Sequence, residues 1–201
     1  MVYVKPAKVK LAIDLDNVIF DFFNPFVKYC KENSTKFNDA LVIKALVSGF
    51  NYRFDEEYPE FTQIFIDYTN EWGHGSSPLI QSNMKWVFYE VFKRAPSSCF
   101  ITSRPLKCQI ETESSLIRQF DVLKNAKVYW SSKEYQKAAI IKDLGNITHF
   151  VDDQTAYITE VLKTNPEVIC LWFNAYGMPS EKCPKGASEV NTWEEVLDII
   201  K

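Results

Sequence analysis

The chain has 201 residues, 46% hydrophobic and 24% charged, with a formal net charge of −3. That size fits one domain, or one core with a modest insertion, and the composition excludes a disordered or fibrous protein. Lysine and arginine are scattered and number 23 against 26 acids, so extended duplex nucleic acid is not an expected partner, while a small phosphorylated ligand stays open.

The five cysteines, Cys30, Cys99, Cys108, Cys170 and Cys183, show neither CxxC spacing nor paired histidines. This argues against a disulfide framework or a zinc site and points to a reducing, cytoplasmic compartment. Met1 to Lys10 is basic, but the apolar run after it is short and broken by Asp14 and Asp16, so neither a secretion signal nor a membrane span is expected.

In chain order, Val9 to Ile13 is a short apolar run without alternation, followed at once by Asp14-Leu15-Asp16. It predicts a buried parallel strand whose carboxyl end carries two acids. Residues 22–92 then interrupt the pattern with a long, aromatic-rich, helical stretch that includes Phe50, Tyr52, Phe54, Tyr58, Phe61, Phe65, Tyr68, Trp72 and Trp86. We assign it to a small helical cap inserted after the first strand, leaving 1–21 and 93–201 as the core. Aromatics at helical spacing are read first as core, and only their place above the site favours ligand contact. Asp21 would cap the helix beginning near Phe22.

Cys99-Phe100-Ile101 predicts a second strand, ending in Thr102-Ser103-Arg104-Pro105, and Leu106 to Leu123 a helix. Ala126 to Trp130 gives a third strand, ending in Ser131-Ser132-Lys133, before a helix from Glu134 to Leu144 that Gly145 closes. Thr148 to Val151 ends in Asp152-Asp153, and Val168 to Phe173 ends in Asn174. Trp193, Val196, Leu197 and Ile200 share one face of a closing amphipathic helix. Strands alternating with helices predict an α/β, Rossmann-like, doubly wound parallel sheet, with its ligand crevice beyond the carboxyl ends of the strands. The polar clusters should therefore converge. His74 reads as a loop residue of the cap, His149 as a strand residue, and Cys99 and Cys170 as buried hydrophobes.

Two carboxylates at i and i+2 beside a buried strand repel each other and call for positive charge. Asp152 and Asp153 add hard oxygen donors, the setting that suits Mg²⁺. With charge balanced, Asp14 can attack phosphorus, and Asp16 can protonate the leaving oxygen and later activate water. Thr102, Ser103 and a lysine can bind the phosphoryl oxygens. Arg104 could clamp phosphate, or equally hold its loop through backbone carbonyls or a surface acid.

Ile13-Asp14-Leu15-Asp16-Asn17-Val18, Phe100-Ile101-Thr102-Ser103, a lysine opening a helix, and Phe150-Val151-Asp152-Asp153 resemble, in order, the four motifs of the haloacid dehalogenase (HAD) superfamily. The resemblance implies Asp14 as nucleophile, Asp16 as acid/base, Thr102 as phosphate-binding hydroxyl, and Asp152 with Asp153 as metal-side acids. It also implies Mg²⁺ as cofactor, with the Asp16 backbone carbonyl among its ligands. Lys137, which opens Lys137-Ala138-Ala139-Ile140, is favoured over Lys133 as the motif lysine. Asn17 stands where many members carry glycine, and Val18 where the commonest form has threonine. Within the superfamily the chain is most similar to the 5′(3′)-deoxyribonucleotidase and 5′-nucleotidase group, which implies a phosphatase of nucleoside monophosphates. The alternatives are a phosphatase of another small ester or of nucleic acid ends, and a binding protein that keeps the fold without turnover.

Overall fold

The computed structural model describes residues 8–33, 59–71, 77–120, 126–177 and 182–200. Its centre is a six-stranded sheet in which every pairing is parallel: β1 Leu11–Ile13, β2 Cys99–Thr102, β3 Val128–Trp130, β4 His149–Asp152, β5 Ile169–Phe173 and β6 Ser188–Val190, ordered β3-β2-β1-β4-β5-β6. The order reverses at β1, so β1 and β4 flank the switch point where doubly wound sheets bind ligands.

Each strand sends alternate residues to opposite faces, and both faces are covered. On one side Leu11, Ile13, Phe100, Val151, Leu171 and Phe173 join a core with Met84, Val87, Phe88 and Val91 of a helix at Met84–Arg94, and with Trp193, Val196 and Leu197 of the closing helix Trp193–Ile199. On the other, Ala12, Cys99, Ile101, Phe150 and Trp172 pack against Ala138, Ile140 and Ile141 of the helix Lys137–Leu144 and Ile158 and Val161 of the helix Thr155–Thr164. The doubly wound expectation holds. Among the described residues the α-helices, in chain order, are α1 Phe23–Asn33, α2 Pro59–Glu71, α3 Met84–Arg94, α4 Gln109–Gln119, α5 Lys137–Leu144, α6 Thr155–Thr164 and α7 Trp193–Ile199.

The helix predicted from Leu106 begins as a 3₁₀ turn at Leu106–Cys108 before α4. Gly145 ends α5 with φ +63°, the left-handed conformation that a glycine adopts without strain. Thr192 caps α7, its hydroxyl accepting from the Glu195 N–H at 3.4 Å. β6 had no counterpart in the sequence reading: it is a three-residue edge strand with only Val190 buried, so it shows no apolar run.

The insertion leaves and re-enters the core through one antiparallel contact. Phe20 pairs with Leu79, Asp21 N–H donates to Pro78 O at 2.8 Å, and Ile80 N–H donates to Ile19 O at 2.8 Å. Within the stretch 22–92 that the sequence reading assigns to the cap, Met84, Val87, Phe88 and Val91 pack in the core on the sheet. α3 carries apolar residues at helical spacing, but they face the sheet, and Trp86 is exposed. Beyond the contact, α1 and α2 pack on each other through Phe22, Phe26, Tyr29, Phe65 and Tyr68. Phe50, Tyr52, Phe54, Tyr58, Trp72 and His74 lie outside the described residues.

Candidate active site

β1 ends at Ile13, and the Asp14 N–H continues its ladder by donating to Val151 O at 3.0 Å. The chain then folds into a tight turn: Ile19 and Phe20 N–H both donate to Leu15 O at 2.9 Å, and Asn17 N–H donates to Phe20 O at 2.7 Å. The turn needs a positive φ, and Asn17 supplies it at +59°. Asparagine tolerates this region better than most residues with a β-carbon.

Asp14 and Asp152 end adjacent strands, and the Lys137 ammonium at the start of α5 lies between them, donating to Asp14 Oδ1 at 2.6 Å and Asp152 Oδ2 at 2.7 Å. All three side chains are buried. Asp152 is held further by the Gln154 N–H, which donates to its Oδ1 at 2.9 Å. Asp153 completes the group: Asp14, Asp152 and Asp153 each present an oxygen within 4.8 Å of the others. One ammonium among three carboxylates leaves negative charge uncompensated. Burial raises the Asp14 carboxyl from an ordinary 3.8 to about 7, with Lys137 opposing and Asp152 and Asp16 adding to the rise. Burial also raises Asp152, and it raises Asp153 well above the usual range, reinforced there by Asp152 and Asp14. Two neighbouring carboxylates keep the Lys137 ammonium charged despite burial. Carboxylates forced together this way fit a hard divalent cation, whose charge would displace their protons.

Asp16 lies outside this cluster. Its carboxylate is clamped by Arg104, with Nε at 2.9 Å from Oδ2 and Nη2 at 2.6 Å from Oδ1. Arg104 is itself buried, with its guanidinium 5.0 Å from the Phe20 ring centroid and Nη1 donating to Thr112 at 3.2 Å. Of the two sequence readings for Arg104, a phosphate clamp or a hold on backbone carbonyls or a surface acid, the placement is of the second kind: the fork grips the part-exposed carboxylate of Asp16, the second acid of the Asp14-Leu15-Asp16 segment. The resemblance gave a metal the Asp16 backbone carbonyl, not this carboxylate.

Thr102 ends β2 fully buried, its hydroxyl accepting from the Arg104 N–H at 3.1 Å. Ser103 Oγ is 2.8 Å from Ser131 Oγ and donates to the Tyr157 hydroxyl at 3.2 Å. Lys133 lies outside the charged centre, on the wall of an open cleft of 370 Å³ shared with Ser103, Ser131, Ser132 and Tyr157. Tyr157 links this cleft to the centre, since it lines the cleft and its ring lies 4.4 Å from Lys137 Nζ. His149 is buried with Nδ1 at 2.9 Å from the Thr148 hydroxyl, and all five cysteines are free, with Cys99 and Cys170 buried in strands. Sequence reasoning missed Tyr157, Trp172, which donates through Nε1 to Asp153 O at 2.8 Å, and Tyr176, whose hydroxyl donates to Asp21 at 2.6 Å. Asn17 had drawn notice only as a departure from glycine.

No family model and no curated protein matches the sequence. Solved structures do. A candidate phosphoglycolate phosphatase from Lactobacillus plantarum superposes with a TM-score of 0.67 at 13% identity, covering 96% of this chain and 99% of its own. The candidate HAD hydrolase YfnB from Bacillus subtilis, in a magnesium-bound form described as revealing interdomain movement, gives 0.62 at 14% identity, with 97% and 99% covered. A HAD family hydrolase from Deinococcus radiodurans, with bound phosphate and sodium, gives 0.59 at 10% identity, with 95% and 93% covered. The chain therefore has the fold of the HAD hydrolases, an architecture that dehalogenases share. At these identities the likeness establishes the fold. What the chain does follows from its own residues.

Proposed function

We propose that this chain is a magnesium-dependent phosphomonoesterase working through an aspartyl-phosphate, of the 5′-nucleotidase-like kind. The observation that carries the reading is the Asp14, Lys137 and Asp152 triad with Asp153 beside it, at the switch point of the sheet. Asp14, Asp152 and Asp153, with the Asp16 carbonyl, would hold Mg²⁺. Bound there, the ion would supply positive charge to the phosphoryl oxygens.

Lys137 occupies Asp14 Oδ1, so Oδ2 is the oxygen left to attack phosphorus. The bond from phosphorus to the leaving oxygen breaks as the bond to Asp14 forms, and Asp16, half-buried at the rim, gives that oxygen its proton. Asp16 then takes a proton from the water that releases phosphate and regenerates Asp14. Thr102 and Ser103 at the end of β2 and the Lys137 ammonium bind the phosphoryl oxygens.

The nucleotide assignment rests on the motif resemblance. It is supported by an open cleft of 440 Å³ lined by Tyr29, Tyr68, Asp21, Asn24 and Lys28. The free cysteines are in keeping with a cytoplasmic setting, and no helix among the described residues is long and apolar enough to cross a membrane. Phosphate release should be measured from nucleoside monophosphates, deoxynucleotides, sugar phosphates and an aryl phosphate, each with Mg²⁺ and with EDTA. We expect Mg²⁺-dependent release with preference for nucleotides, abolished by Asp14→Asn with the fold intact. Activity confined to other esters would overturn the substrate and keep the mechanism. Full activity of Asp14→Asn would overturn the mechanism.

A further inference from the structure

We propose that Asn17 is a positioning residue that couples cation binding at Asp153 to the seating of α1, the first helix of the insertion. The proposal rests on the metal centre argued above. Asn17 has the sole positive φ outside glycine among the described residues, +59°, where glycine would sit without strain. The asparagine side chain adds an amide that glycine would lack, and it is buried with contacts to both Asp153 and the start of α1.

Its amide orientation follows from its partners. The Phe23 backbone N–H, at the first residue of α1, can only donate, and it lies 3.0 Å from Asn17 Oδ1. Nδ2 must then face the other way, and it donates to Asp153 Oδ2 at 3.1 Å. One rigid amide thus spans a candidate metal ligand and an N–H that the helix cannot satisfy internally. Two further contacts brace it. The Tyr176 hydroxyl lies 3.3 Å from Asn17 Oδ1 while donating to Asp21 Oδ1, and Asp21 accepts the next amide of α1, from Asn24, at 3.0 Å. On the metal side, the Trp172 indole anchors the Asp153 backbone. Asp153 cannot turn without drawing on the Asn17 amide, and Asn17 cannot shift without freeing the start of α1. A cation that fixes the Asp153 carboxylate should therefore tighten α1 on the core, and a well-seated α1 should strengthen cation binding, since such coupling is reciprocal. Partners that orient metal ligands are typically worth a 10- to 100-fold change in metal affinity.

The test uses the full chain, Mg²⁺ alone and Asn17→Gly, which suits the backbone and removes both links. Mg²⁺ affinity is read by titration calorimetry, and hydrogen exchange at the Phe23 and Asn24 amides is read with and without Mg²⁺. We expect wild type to bind Mg²⁺ and to slow exchange at these amides on binding. Asn17→Gly should bind about 10- to 100-fold more weakly and lose the Mg²⁺ effect on exchange. Tyr176→Phe, which keeps the Asn17 to Asp153 bond, should hold Mg²⁺ affinity near wild type while exchange at Asn24 quickens. Wild-type affinity in a folded Asn17→Gly, or exchange at Phe23 indifferent to Mg²⁺ in wild type, would overturn the coupling alone. A wild-type chain that binds no Mg²⁺ would overturn the metal centre and the coupling with it.

Discussion

Asp14 and Asp16 are two residues apart, yet the fold gives them opposite surroundings. Asp14 shares the Lys137 ammonium with Asp152, all three side chains at most 8% exposed. Asp16 meets a fully buried guanidinium but keeps 24% of its own side chain exposed. A lysine is a compact charge on a flexible stem, able to bridge two carboxylates while leaving an oxygen of each unclaimed. An arginine is a planar fork that engages both oxygens of a single carboxylate and fixes its orientation. The inner pair thus leaves Asp14 an oxygen that Lys137 does not claim, and the outer pair holds a carboxylate that stays part-exposed, the arrangement the proposed mechanism uses. On the proposed mechanism, cation type and burial, more than carboxylate chemistry, separate the nucleophile from the acid/base.

Removing the inner cation should have the largest effect. Lys137→Met takes away the charge that positions Asp14 and, on the proposed mechanism, one of the groups that bind the phosphoryl oxygens, so kcat should fall about 10²- to 10³-fold. Stripping a buried ion pair of one partner also costs about 3 to 5 kcal/mol, and thermal unfolding should register it. Lys133→Met, on the wall of the outer cleft, should leave kcat nearly unchanged. Equal, small losses in the two variants would erase the distinction between inner and outer lysine.

The inner site was the more legible half. Each of its acids directly follows an apolar run, and a run that stops at a charge marks a buried strand opening into a site, as at Ile13-Asp14 and Val151-Asp152. The doubly wound order then brings such ends together, so convergence of Asp14, Lys137 and Asp152 needed only topology. The outer half resisted because its partners are set by loop geometry. Arg104 lies 88 positions from Asp16 along the chain and reaches it only because the turn after β1 folds over the end of β2. Tyr176 follows a strand with no local signal that its hydroxyl would return to Asp21, 155 positions earlier. β6 lacked an apolar run, and α3 showed helical periodicity without showing which surface its apolar face would cover. Periodicity names an element, while the antiparallel contact of Phe20 with Leu79 is a pairing that no periodicity reveals.

A smaller effect tests the uncompensated charge at the inner site. The folded chain holds a proton on Asp14 up to about 7, where an unfolded one would lose it near 3.8. Below 3.8 that proton favours the folded, metal-free chain fully, and the contribution is lost as pH rises through about 7. A cation binding there must displace the proton. Apparent Mg²⁺ affinity should therefore rise by at least about tenfold per pH unit below 7, with protons released on binding. Calorimetry in buffers of different ionisation enthalpy measures that release. A flat affinity between pH 5.5 and 8 would mean that Lys137 already compensates the acids.

The smallest effect belongs to the outer pair. Arg104→Lys keeps a positive charge beside Asp16 but trades the two-pronged grip for a single contact, and it gives up the guanidinium packing on Phe20. If the fork serves to orient Asp16, kcat should fall a few-fold with KM for the ester unchanged, because the loss is felt only when a proton moves. If Arg104 instead reaches phosphate during turnover, the same substitution should raise KM and weaken inhibition by inorganic phosphate with little change in kcat. The geometry predicts the first outcome, since all three donor nitrogens of the guanidinium are already engaged by Asp16 and Thr112. A steady-state split in the other direction would make the outer arginine part of phosphate binding and leave Asp16 without a dedicated orienting group.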